Sequence, residues 1–192
     1  MVEFGATRVE LGVQILSDEI YRIVKRGHTV ADVVRASALV RQNGLKVHYH
    51  LMPGLPGSSP EEDLQLARLV FEDERFRPDG LKLYPTMVIE GTELEKWMND
   101  GRYVPYDGQT MRDLIAGIKG SVPKYVRISR VLRDIPAKFI VGGLKDSLRQ
   151  PLRQRMEEMG LRCRCIRCRE YGFRVRDKQP VAEPFLTRLD YE

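Results

Sequence analysis

The stretch KVHYHLMPGLPGSSPEE, residues 46–62, narrows the choice of fold more than any other part of the chain. Its first residues alternate, with Val47, Tyr49 and Leu51 on one side and His48, His50 and Met52 on the other, the pattern of a β-strand. Pro53-Gly54 and Pro56-Gly57 then break the strand into a short loop. Ser59, Pro60 and Glu62 restart the chain as a helix: a hydroxyl N-cap, a proline in the first turn and a glutamate three residues after the cap. A strand that runs through a glycine-rich loop into a helix N-terminus is the unit from which parallel α/β folds build ligand sites. An ordinary βα connection reads the same way; the two prolines and two glycines favour a cofactor wall.

The rest of the chain repeats that alternation. Strands are expected over Thr7–Gln14, over LKLYPTMVI with a break at Pro85, over Tyr125–Leu132, and over Phe139–Val141. Helices are expected from Asp18 to Lys25 with Asp18 as cap, and from Thr29 to Gly44 with Val30, Val33, Val34, Ala38 and Leu39 as its apolar stripe. Others are expected from Pro60 to Asp73 with Leu64, Ala67, Leu69 and Val70 inward, over Thr92–Met98, over Gln109–Lys119 and over Asp146–Met159. Strands alternating with helices imply an α/β fold on a parallel sheet with right-handed crossovers. The strand at Thr7 has no obvious second neighbour, as in a barrel cut partway round.

Composition adds two constraints. The net charge of +5 conceals an asymmetry: residues 119–178 hold 17 Lys and Arg against 6 Asp and Glu, +11, leaving −6 for the remainder. A polyanionic partner gives that concentration a purpose, although a solvated basic face would look the same. No apolar run reaches membrane-spanning length and no signal peptide is recognisable, so a cytoplasmic protein without a membrane partner is expected.

All three cysteines, Cys163, Cys165 and Cys168, fall in CRCIRC, which suits one soft cation better than a disulfide framework. Zinc is the expected ion, with its fourth ligand to come from elsewhere. Glu10 and Gln14 are expected on one face of the first strand, where they could bind ribose hydroxyls or an amino-acid group; a plain surface strand is equally compatible. His48 and His50 share a face, yet without nearby acids or thiols they read as hydrogen-bonded core and not as metal ligands. Lys124, Arg127, Arg130, Arg133 and Lys138, followed by Arg149, Arg153 and Arg155, mix with Tyr125 as a phosphate-binding surface would. Pairing of one or two of these arginines with acidic strand ends is also expected.

GATRVELGVQ, the Arg26-Gly27-His28 that follows, HYHLMPGLPGSSPEED, FRPDGLKLYPTMVIEGTEL, VPKYVRISRVLRDIP, VGGLKDSLRQ and CRCIRCRE together resemble the catalytic subunit family of the Elongator complex. That family joins a radical S-adenosylmethionine (SAM) domain to an acetyltransferase domain and modifies wobble uridines of tRNA. The resemblance, from about Phe4 to Glu170, implies the C-terminal part of a partial (β/α) barrel over residues 1–145. A basic helix and Cys-rich zinc linker over 146–192 would lead towards an acetyltransferase domain. It implies Gln14 and Arg26 as cofactor-holding residues and the strand end from His50 through Pro53 and Gly54 to Pro56 as part of the cofactor wall. It also implies Cys163, Cys165 and Cys168 as a zinc linker, and the basic segment as a tRNA surface.

The family's [4Fe–4S] cysteine motif lies upstream of the residues matched, and its acetyl-coenzyme A domain downstream. Ile15 also stands where the family often carries a small hydroxyl residue. The expectation is therefore a central fragment, inactive alone, with other Elongator subunits or a second copy as further partners. Two other readings are a non-catalytic, zinc-stabilised RNA-binding module and a stand-alone radical enzyme with its cluster on CRCIRC.

Overall fold

The computed structural model describes residues 2–144 and 149–176, then 178, 180, 181, 183, 185, 186 and 188; for 149 and 150 it describes backbone only. Four strands form one parallel sheet: β1 (Arg8–Gln14), β2 (Lys46–Leu51), β3 (Gly80–Leu83) and β5 (Arg127–Val131), side by side in that order. Strand order follows chain order without reversal, so the sheet is an arc of a barrel wall and not a doubly wound sheet. Among the described residues β1 pairs only with β2, as expected from its lack of a second neighbour. A two-stranded antiparallel ribbon, β4 (Val88–Ile89) with β6 (Ile140–Gly142), sits beyond the end of β3. Pro85 ends β3 ahead of that ribbon because it cannot donate to a ladder.

The helices are α1 (Asp18–Ile23), α2 (Val30–Gln42), α3 (Pro60–Glu72), α4 (Glu93–Asn99), α5 (Gly108–Ser121), α6 (Arg149–Glu158), α7 (Ile166–Arg169) and α8 (Tyr171–Arg176). Their starts obey capping chemistry: Ser59 accepts from the Glu62 N–H, Thr92 from Glu95, and Thr29 with Asp32 makes a reciprocal box. Ser17, not Asp18, caps α1; the Asp18 carboxylate accepts from the Val30 N–H at 2.7 Å and serves the next helix. The expected start of α6 at Asp146, and the domain division beside it, lie outside the described residues. No helix among the described residues is long and apolar enough to cross a membrane.

Val47, Tyr49, Leu81, Leu83 and Ile128 project from the convex side of the arc into a core closed by Val70, Ile115 and Ile118. Two expected core positions are wrong. Leu39 and Leu69 face water, and Ser37 and Phe71 are buried instead. Ser37 turns inward because its hydroxyl bonds the Tyr49 phenol, a partner that apolar periodicity does not reveal.

Candidate functional site

The concave face of the arc, opposite the core, gathers the polar side chains of three adjacent strands. Glu10 on β1, His50 on β2 and Lys82 on β3 meet there: Glu10 Oε2 accepts from His50 Nε2 at 2.8 Å and from Lys82 Nζ. His50 and Lys82 are register partners, so the parallel ladder itself sets their spacing. The Lys82 hydrogen bond, with help from His50 and against partial burial, holds the Glu10 carboxyl down at about 2. The His50 ring meets Tyr84 edge-on at 5.4 Å, and the Arg133 guanidinium lies 6.0 Å from the same tyrosine. His48, nearer the start of β2, is buried over Gly80, where the absence of a side chain leaves room for its ring.

At the end of β1 the strand bulges. Leu11 is opposite Tyr49, but Gln14 is opposite Leu51, and Gln14 takes a left-handed φ of 66°. Simple alternation therefore fails between Glu10 and Gln14. The two expected cofactor residues nonetheless come together over Gly12: a Cβ there would lie 3.0 Å from Gln14 Nε2 and 3.2 Å from Arg26 Nη2. Arg26 donates to the Gly12 carbonyl at 2.8 Å, while Gln14 Oε1 is buried without a hydrogen-bond partner among the described residues. A buried amide oxygen left open at a strand's carboxyl end is what a site awaiting a ligand donor would show.

Beside it the Pro53–Gly57 loop is held by a buried acid that spacing did not single out. Asp63 in the first turns of α3 accepts from Gly54 N–H at 2.7 Å, Ser58 Oγ at 2.8 Å and Tyr106 Oη at 3.1 Å. Tyr103 donates to the Gly54 carbonyl at 2.7 Å, and the Thr86 N–H donates to the Pro53 carbonyl at 2.9 Å. Burial raises the Asp63 carboxyl, opposed by the Gly54 bond, and burial raises Tyr103 to about 12. Glu61-Glu62-Asp63 reads as an ordinary acidic first turn, so no sequence signal marks Asp63 as the loop's anchor.

The cysteines gather at the opposite edge of the sheet. Their Sγ atoms lie within 4.8 Å of one another, with Cys165 buried, Cys163 half-buried and Cys168 exposed. Bonds from Cys163 and Cys168 push the Cys165 thiol well down. Tetrahedral zinc with bonds of about 2.3 Å sets its sulfurs about 3.8 Å apart, so the triad needs only a small closure to hold a metal. The turn also covers β5: the Ile166 N–H donates to the Val126 carbonyl at 2.9 Å, and Arg167 Nη1 donates to the Ser129 carbonyl at 2.8 Å.

The basic residues divide. A bulge in β5 sets Ile128 opposite Leu81 and Arg130 opposite Lys82, which puts Arg130 on the face opposite Ile128 and not, as alternation implied, on the same one. Arg127 pairs with Glu170 at 3.0 Å, Arg130 with Asp134 at 2.7 Å, and Arg153 with Glu157 at 3.2 Å. Lys124 and Lys138 are exposed, the latter over the Phe139 ring at 4.9 Å. Arg153 stands on α6 in the helical layer, Arg155 is tied to Asp113 on α5 at 2.6 Å, and the Arg149 side chain lies outside the described residues.

Comparison with known proteins agrees with this arrangement. The Radical SAM superfamily matches residues 1–70, and the Radical SAM C-terminal domain matches residues 78–158. The chain is 67% identical over 191 residues to a tRNA uridine(34) acetyltransferase of Dehalococcoides mccartyi, covering all of this chain and 42% of that protein. It is 40% identical over 193 residues to human Elongator complex protein 3, covering 35% of it. The solved structure of archaeal Methanocaldococcus infernus Elp3 with an N-terminal deletion superposes with a TM-score of 0.95 at 48% identity, covering all of this chain and 46% of that one. The chain thus spans less than half the length of these relatives. Radical SAM and Radical SAM C-terminal domains are present, and from end to end the chain is similar to proteins named tRNA uridine(34) acetyltransferase and Elongator complex protein 3.

Proposed function

We propose that these residues form the cofactor wall, the metal linker and part of the RNA surface of an Elongator-type tRNA uridine(34) acetyltransferase. The observation that carries this reading is the convergence of Gln14 and Arg26 over Gly12, with an orphaned amide oxygen, beside the pinned Pro53–Gly57 loop. SAM, when bound with its iron–sulfur cluster, supplies the family's radical chemistry. Gln14 offers its amide to the cofactor, Arg26 stiffens the strand end, and Pro53 and Gly54 form the wall that Asp63 and Tyr103 keep in place. Glu10 and His50 border the same space on the concave face. Acetyl-coenzyme A handling is assigned to the part of the relatives that this chain does not span. Other Elongator subunits or a second copy are further partners, in the cytoplasm.

Zinc is the metal proposed for Cys163, Cys165 and Cys168, in a linker running from about 146 to 192 behind a barrel segment of 1–145. The chain has no other cysteine, and these three sit at the β5 edge, three strand spacings or about 14 Å along the sheet from β1. They do not fit a cluster that must touch a cofactor held at Gln14, so no chemistry is routed through them.

The proposed RNA surface comprises Lys124, Arg127, Arg130, Arg133 and Lys138, and Arg149 and Arg153 on α6 are proposed to extend it. Their ion pairs are partly exposed and worth about 0–1 kcal/mol each, so phosphate can replace carboxylate at little cost. tRNA affinity is expected to fall about a hundredfold between 50 and 200 mM salt if four phosphates are neutralised. Arg127→Ala, Arg130→Ala and Arg133→Ala together should reduce the log–log salt slope by about three, read by fluorescence anisotropy. An unchanged slope removes these arginines from the interface.

A further inference from the structure

The Glu10–His50–Lys82 cluster is more elaborate than strand cohesion needs. Backbone ladders already join β1, β2 and β3, and the three side chains are each 22–29% exposed on the concave face. Both hydrogen bonds go to Glu10 Oε2. Among the described residues the other oxygen, Oε1, has only Arg8 Nε at 3.7 Å, an ion-pair separation beyond hydrogen-bonding distance. An ammonium has three N–H groups, and Lys82 spends one on Glu10. The cluster therefore presents a free carboxylate acceptor beside a free cationic donor, at positions fixed by the register of adjacent strands.

We propose that Glu10 and Lys82, with His50 holding the carboxylate in place, read the imide edge of a uracil ring. This assignment rests on the tRNA uridine reading above. The uracil edge runs acceptor, donor, acceptor (O4, N3–H, O2). Glu10 Oε1 accepts a hydrogen bond from N3–H and Lys82 donates one to O4. Cytosine presents an amino donor to Lys82 and an N3 lone pair to the carboxylate, so both contacts become repulsive and discrimination comes from rejection as much as from attraction.

The surroundings supply the route for a nucleotide. Arg130 is the β5 register partner of Lys82, and Tyr84 stands between His50 and Arg133. Two of the proposed phosphate-binding arginines thus border the cluster. Arg130 and Arg133 carry the backbone while the carboxylate and ammonium face the base, the usual division between contacts that position and contacts that specify.

The test compares binding of one tRNA carrying U34 with the same tRNA carrying C34, at fixed salt. The unmodified protein should prefer U34 about tenfold, within the range of one good two-point base contact. Glu10→Gln replaces an obligate acceptor by an amide that can rotate to suit either base, and should bring the ratio close to one. Removing a negative charge also tightens binding of both tRNAs, so the ratio is the quantity that matters. Lys82→Met, which keeps a long side chain but no donor, should abolish the preference independently. Equal binding of the two tRNAs by the unmodified protein, or a preference that survives in both variants, overturns the assignment while leaving the tRNA reading intact. Failure to bind either tRNA overturns that reading as well.

Discussion

Among the glycines, Gly80 leaves the least room for a side chain. A Cβ on it would lie 2.2–2.4 Å from three atoms of the buried His48 ring, a separation that real side chains do not adopt. The ring cannot swing away cheaply, since it is packed inside the arc between neighbouring strands. Gly80→Ala should lower stability by about 3 kcal/mol or more, measured by urea unfolding. His48→Ala should restore most of the loss when combined with it, and a double-mutant cycle that came out additive would show that the ring is not the obstacle. Alternation puts His48 and His50 on one side of β2, yet the two rings meet different neighbours. Their difference is not legible in sequence, because it depends on what each ring meets: Gly80 for His48, and the side chain of Glu10, forty residues upstream, for His50. Lys82 carries no local signal for the same reason, its partner being a residue 72 positions away.

At the scale of the element, the strand–loop–helix from Lys46 to Glu72 reads directly from sequence, because alternation, Pro-Gly breaks and a capped helix start are all local signals. The bulges at Gln14 and after Ile128 do not, since each is fixed by the neighbouring strand's register, and each reverses the side that counting residues assigns. What secures the loop is also non-local. Asp63 on α3 accepts from the Gly54 N–H, Tyr103 donates to the Gly54 carbonyl, and Tyr106, also before α5, donates to Asp63. Asp63→Ala would leave three donors unsatisfied and should cost about 3 kcal/mol of stability, whereas Asp63→Asn should cost less because one amide oxygen remains. Hydrogen exchange at the Gly54 amide separates a local effect from a global one. Loosening confined to residues 53–58 is expected, and unchanged protection there would mean that the acid does not hold the loop.

Across the whole molecule the two edges of the sheet are treated differently. The outer edge of β1 has no strand against it among the described residues, whereas β5 is covered by the cysteine turn. Cys165 contributes to that cover through its sulfur, which accepts the Ile128 N–H, and the next residue bonds the Val126 carbonyl. A metal-bound thiolate is a stronger acceptor than a neutral thiol, and a metal shared by Cys163 and Cys168 would anchor the turn at three points. The cysteine turn thus covers the β5 edge, where no further strand pairs among the described residues. Removal of the metal proposed for the triad with a chelator should accordingly free one side of the sheet and leave the other unaltered. The Ile128 and Ile166 amides should exchange at least tenfold faster, and the amides of β2, held between β1 and β3, should keep their protection. Cys165→Ser should reproduce the faster exchange with or without chelator. If protection at Ile128 and Ile166 persists after the metal is gone, the turn is held by Arg167 and backbone bonds alone, and the cysteines serve only to bind their ion.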